Sequence, residues 1–225
     1  MKVIKNSFFV FFAMSFGSLF SAEIVYQLSG SVVLALLNGS EASRYCEQIA
    51  SLRIHGYAEF PFLYQGTYEC EKEYLEHYFN SKKSRFLIAF DGDKIVGLSI
   101  AIPLVDELDE VKQPFIKQGI NINTYAYIGD MVILPNYRHL PILSCMFKFY
   151  EQYVDKFGYE HIFWAIVDRP IDHPDRPKNY NDLAYLWNDF GYYKQTNIAL
   201  NMAWKELNKV DSEMHTLSIW QKNVK

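Results

Sequence analysis

The sequence predicts one α/β domain, and three observations carry that reading. Ser84–Phe90 and Lys94–Pro103 are two β-rich runs joined by Asp91-Gly92-Asp93, the clearest hairpin signal in the chain. Tyr125–Leu134, Pro141–Phe157 and His161–Val167 read as strand, helix and strand, a βαβ unit whose crossover packs on the sheet. The chain has 225 residues, 50% of them apolar and 17% aromatic, enough to fill one sizeable core and far from a disordered composition.

The first 22 residues differ in kind. Lys2 and Lys5 precede an uncharged stretch to Ala22, the layout of a secretory signal. The stretch is short for a membrane span, which needs about 20 apolar residues. A cleaved signal peptide, an uncleaved anchor and an unused upstream start remain as alternatives. A working signal implies export; otherwise the protein is cytoplasmic. Residues 23–225 read as a single domain without repeats or low-complexity tracts.

In that domain Glu23–Gln27 is a first short strand, broken by Ser29-Gly30-Ser31. A helical pattern follows, capped at Ser40 or Ser43, with apolar or small residues at Cys46, Ile49, Ala50, Leu52 and Ile54. Glu59–Gly66 is an aromatic loop. Tyr68–Phe79 is a helix with Tyr74, Leu75, Tyr78 and Phe79 on one side and glutamates on the other. After the hairpin come an acidic helix at Asp106–Gln118 and then the βαβ unit. Its helix carries an apolar face at Ile142, Met146, Phe149, Tyr150, Tyr153 and Phe157. Asp168–Tyr180 holds Pro170, Pro174 and Pro177 and is a loop. Asn181–Phe190 is a helix closed by Gly191. Ile198–Glu206 and Met214–Gln221 are the last strands.

Charge and cysteines exclude several function classes. The net charge is −4 with no basic block, so nucleic acid is not an expected partner. Cys46, Cys70 and Cys145 fit no zinc pattern, and the six histidines are scattered, so no metal is expected. A Cys46–Cys70 disulfide is open only to an exported chain. There is no Gly-x-Ser-x-Gly elbow and no P-loop.

The stretch Gly129–Tyr150, a strand running through a turn into a helix, is suited to hold a phosphate. Backbone N–H groups and the positive end of the helix dipole converge there. With the hairpin, GDMVILPNYR and the late LWNDFGYY, this stretch resembles the GNAT superfamily of acyl-CoA-dependent N-acetyltransferases over nearly the whole of residues 23–225. The loop DRPIDHPDRPKNY and the tail AWKEL…HTLSIW resemble a bacterial subgroup. The resemblance implies a central mixed, twisted sheet flanked by helices, with acetyl-CoA as acyl donor and a small-molecule or peptide amine as acceptor.

Residue by residue, the resemblance places the pyrophosphate at Arg138, His139, Leu140, Pro141, Ile142 and Leu143. Pro141 and Leu143 stand where the family has small residues. A missing charge-assisted N–H bond costs on the order of 1.5–3 kcal/mol, although proline suits a first helical turn and leaves the N–H groups of Ile142 to Cys145 free. Met131, Val132 and Ile133 take the pantetheine arm through their backbone. Asp130 stands where the subgroup has Glu, as a base acting through water. Trp187 replaces the tyrosine that serves the family as acid. Phe62 and Tyr64 of the aromatic loop, and His173 and Arg176 of the proline-stiffened loop, are acceptor-site candidates. Two function classes follow: an acetyltransferase, or a fold that has lost catalysis and acts as a binding module.

Overall fold

The computed structural model describes residues 23–180 and 183–224; the leader at 1–22 lies outside them. Its strands are β1 (Glu23–Gln27), β2 (Val32–Asn38), β3 (Arg85–Asp91), β4 (Lys94–Pro103), β5 (Tyr125–Ile133), β6 (His161–Val167), β7 (Tyr193–Lys205) and β8 (Ser212–Asn223). Its helices are α1 (Gly39–Ala42), α2 (Cys46–Tyr57), α3 (Tyr68–Asn80), α4 (Asp109–Lys117), α5 (Ile142–Lys156) and α6 (Leu183–Asp189). The strands form one mixed sheet in the order β1-β2-β3-β4-β5-β6-β8-β7. Only β5 and β6 are parallel, as the βαβ unit requires. Two apolar layers sandwich the sheet. One joins it to α2, α3 and α4 through Ile49, Leu75, Tyr78 and Phe115. The other joins it to α5 and α6 through Ile142, Met146, Phe147 and Trp187.

Local rules account for much of this. Asn38 caps α1 in a box with Glu41, each side chain satisfying the other's backbone N–H. Thr67 caps α3 through the Cys70 N–H. Gly92 turns the β3–β4 hairpin at φ +60°, where a Cβ is strained.

Several expectations are corrected. VVLALLN after the Ser-Gly-Ser break is a strand, β2, paired to both β1 and β3; a continuous apolar run has no period to betray it. The cap of the following helix is Asn38, and a 3₁₀ turn at Ser43–Tyr45 separates α1 from α2. The acidic helix starts at Asp109, after a 3₁₀ turn at Leu104–Asp106. On α5 the buried face is Ile142, Cys145, Met146, Phe147, Tyr150 and Val154. Phe149 and Tyr153 lie at its margin. Phe157 is half exposed, with the Arg85 guanidinium 6.0 Å from its ring and 5.8 Å from that of Tyr153. Strand β7 begins at Tyr193, five residues before the expected Ile198. Cys46 and Cys70 are free thiols. No helix among the described residues is long and apolar enough to cross a membrane.

Candidate functional site

The sheet opens in its middle. Strands β5 and β6 pair only from Tyr125 to Ile128 against His161 to Trp164, and then part. The parting coincides with a bulge: Ile128 faces Ala101 and Asp130 faces Ile100, leaving Gly129 as the extra residue. A side chain at Gly129 has no room, since its Cβ would lie 2.6 Å from Tyr78 Oη.

Beyond the bulge, β5 has one partnered edge and one open edge. The Leu134 N–H bonds Val96 C=O at 2.9 Å. With the register Leu98↔Val132 and Ile100↔Asp130, this turns the backbone groups of Asp130, Val132 and Leu134 toward β4. Those of Met131 and Ile133 face the gap. The Ile133 carbonyl accepts from Arg138 Nε at 3.0 Å. The Met131 N–H and C=O and the Ile133 N–H have no backbone partner among the described residues. An inner strand thus offers edge groups ready for an extended ligand. Val132 spends its backbone on β4 and packs its side chain on Gly56.

The open edge leads to the N-terminus of α5. Pro135–Tyr137 form a 3₁₀ turn, and Pro141 is the N-cap residue without a side-chain cap. The Cys145 N–H is taken by Pro141 C=O at 3.1 Å, so it is not free as expected. Those of Ile142, Leu143 and Ser144 have no partner among the described residues. Leu140 and Leu143 turn their side chains onto the α5-side core, Ile142 is buried in it, and His139 is exposed.

On the opposite face of β5 lies a buried polar cluster. Asp130 is 2% exposed. Its Oδ1 accepts from Arg53 Nη1 and from Tyr57 Oη at 2.6 Å. Arg53 Nε also bonds Glu71, and its guanidinium lies 4.2 Å from the centroid of Tyr74. Burial penalises the charge on Arg53, but Tyr74, Glu71 and Tyr57 outweigh it and hold its pKa above the ordinary value. Burial pushes the Tyr57 phenol up, against Arg53 and the Met131 amide, which pull it down. Asp130 Oδ2 has no partner among the described residues.

The aromatic loop joins the two sides of the gap. At one end Glu59 pairs with Arg138 at 2.8 Å, both half exposed. At the other, Arg169 donates to the carbonyls of Pro61 at 2.6 Å and Phe62 at 3.1 Å while paired to buried Glu206 at 2.5 Å. The Phe62 ring meets Tyr57 at 4.8 Å, and its carbonyl also takes the Trp204 indole N–H at 3.0 Å. Tyr64 bridges to Glu206. Beside Pro61 a small pocket of about 130 Å³ is lined by Phe60, Asp168, Arg169, Arg176 and Tyr180. His173 lies 5.6 Å from the Phe60 ring, and its Nδ1 accepts from the Asp175 N–H at 3.2 Å. Arg176 lies 4.9 Å from the Tyr180 ring. Trp187 is a core residue between Phe147 and Trp164.

The structure therefore gathers Phe62 near Asp130 through Tyr57, and sets His173 and Arg176 around Phe60 at the end of β6. Arg53, Tyr57, Glu59, Glu71, Arg169 and Glu206 escaped the sequence reading. Arg53 follows Ile49 by four residues on the apolar stripe of α2. Glu71 precedes Leu75 and Tyr78 by four and seven on α3. A charge in step with an apolar face was the available signal.

The family model described as Acetyltransferase (GNAT) family matches residues 53–176. No curated protein matches the sequence. An N-acetyltransferase from Staphylococcus aureus Mu50 superposes with a TM-score of 0.55 at 10% identity, covering 87% of this chain and 100% of its own. An acetyltransferase from Thermus thermophilus gives 0.52 at 12%, covering 88% and 99%. An aminoglycoside 6'-N-acetyltransferase complexed with coenzyme A gives 0.50 at 16%, covering 80% and 90%. At such identities these likenesses speak for the fold.

Proposed function

The chain belongs to the acetyltransferase (GNAT) family, and on that premise we propose that it transfers an acetyl group from acetyl-CoA to an amine. The observation that carries this reading is the run from the open edge of β5 into the bare N-terminus of α5. Acyl-CoA has an extended arm with amide groups and a pyrophosphate. The Met131 carbonyl and the Ile133 N–H match the amides. The Ile142, Leu143 and Ser144 N–H groups, with Arg138, match the phosphates.

The substitutions in the turn are milder than their residue types suggest. Pro141 lacks an N–H at the N-cap position, ahead of the first-turn donors Ile142 to Ser144. Leu143 rests on the core. The residues present fit the group.

Acetyl-CoA, when bound, supplies an acetyl thioester open to displacement by a nitrogen lone pair. The protein's part is positioning. The open edge of β5 fixes the arm, α5 and Arg138 fix the phosphates, and the aromatic loop walls the acceptor side with Phe62. Asp130 contacts Arg53 and is buried, so it suits the orientation of a neighbour better than the removal of a proton.

The test is thermal unfolding with millimolar acetyl-CoA. A ligand at 100 times its Kd stabilises by about 2.7 kcal/mol, a clear rise in Tm. Absence of any shift sinks the reading. Release of CoA thiol in the presence of amines, aminoglycosides among them, then tests transfer.

A further inference from the structure

We propose that the Tyr57 hydroxyl receives an N–H of the acceptor amine and aims its lone pair into the β5–β6 gap. The inference rests on the transferase reading and adds to it a positioning residue from α2.

Tyr57 is the last residue of α2, and two features hold it at the gap. Gly56 lets the helix end sit on β5, because a Cβ there would meet Val132 Cγ1 at 2.1 Å. The Tyr57 ring is wedged against Phe62 at 4.8 Å and lies 5.0 Å from the Arg53 guanidinium carbon. The hydroxyl then falls between Asp130 Oδ1, at 2.6 Å, and the Met131 amide, which faces the gap.

This setting fixes the hydroxyl hydrogen. Asp130 Oδ1 is paired to Arg53 and accepts the Tyr57 O–H at 2.6 Å. The Tyr57 hydrogen therefore points to Asp130, and the Met131 amide lies beside one lone pair of the phenol oxygen. The other lone pair is left for a ligand. It can serve only a group with a hydrogen to give. Carbonyls, ethers and thioethers are refused; an amine is accepted. An uncharged amine that gives one N–H to Tyr57 keeps its lone pair free. An ammonium has none, so proton loss must precede attack. Tyr57 takes no proton itself, because burial keeps its phenol protonated. Asp130, too buried to reach a substrate, acts by orienting Tyr57.

The variant Tyr57→Phe keeps the ring and deletes the oxygen. Three measurements decide the matter. CoA affinity by calorimetry is expected to stay within two-fold. The kcat/KM for putrescine and for kanamycin is expected to fall about ten-fold, as for one lost hydrogen bond, equally from pH 6.5 to 9.5, with the acetyl-CoA KM unmoved. Hydrogen exchange at the Met131 amide of the free protein is expected to quicken. An unchanged kcat/KM, or a loss confined to one pH limb, overturns the proposal. Unchanged Met131 exchange overturns the placement of Tyr57 without any turnover. Wild-type protein that binds CoA yet acetylates neither amine refutes the transferase reading instead.

Discussion

Replacing Arg53 with leucine removes the cation shared by Glu71 and Asp130. The side chains of both carboxylates are 1% exposed and that of Arg53 is 8% exposed, so solvent cannot take over its role. Removing one partner of a buried pair costs about 3–5 kcal/mol. Here two carboxylates lose the same partner, which places Arg53→Leu near the upper end of that range. A domain is stable by roughly 5–15 kcal/mol, so the variant should fold but unfold at much lower urea. The sign of its pH dependence follows from burial. A buried carboxyl without its cation favours the protonated form, so its folded pKa lies above the unfolded one. Its contribution is kept at low pH and lost as pH rises. The deficit of Arg53→Leu should be largest near pH 8 and shrink toward pH 5. Adding Glu71→Gln and Asp130→Asn should recover part of it at pH 8. Urea midpoints at several pH values provide the assay. A deficit under about 1 kcal/mol at pH 8, or one indifferent to pH, would refute the closed, buried network.

Other outcomes follow from single contacts. Burial raises the carboxyl pKa of Glu107, against Tyr78, the Leu108 N–H and His77. Its contribution to stability is therefore present at low pH and lost as pH climbs through the folded value. The Tm of Glu107→Gln should match wild type near pH 4 and exceed it increasingly toward pH 8; a constant difference contradicts the burial. Arg138→Gln should weaken CoA binding in calorimetry by roughly ten-fold, the scale of one charge-assisted bond. Glu59→Gln should strengthen it up to about five-fold, because Glu59 occupies Arg138 through a half-exposed pair of the kind worth up to about 1 kcal/mol. Matching affinities in all three proteins would remove Arg138 from the phosphate site. Gly56→Ala places a methyl 2.1 Å from Val132 Cγ1 and should cost about 1–3 kcal/mol, read as a lower Tm.

Local periodicity made the frame legible. The Asp-Gly turn announced the β3–β4 hairpin, and the strand–helix–strand run announced the parallel pair and hence the gap. Strand β2 was missed because Val32–Leu37 is apolar throughout and carries no alternation. The proposed site is legible only where it follows the chain, from Asp130 to Leu143. Its other half comes from α2, α3 and the loop after β6, and neighbours across such distances leave no spacing in the sequence. What they do leave is a charge out of place: Arg53 among apolar residues of α2, Glu71 beneath Tyr78.

The same distinction relocates the weak point of the proposed donor site. By residue type the weak point is Pro141 and Leu143, where glycine-like residues are wanted. By geometry those two are harmless, since the helix donors begin after the proline and the leucine faces the core. Under that proposal the residue that would compete with a phosphate is Glu59, which no turn motif includes, because it arrives from the aromatic loop 79 residues earlier. Donor binding that frees Glu59 from Arg138 acts on a loop whose far end stays clamped by Arg169 and Glu206. Phe62 lies between those ends, against Tyr57. Under the proposed function, occupancy of the phosphate site and the shape of the acceptor wall would thus be linked through one short segment.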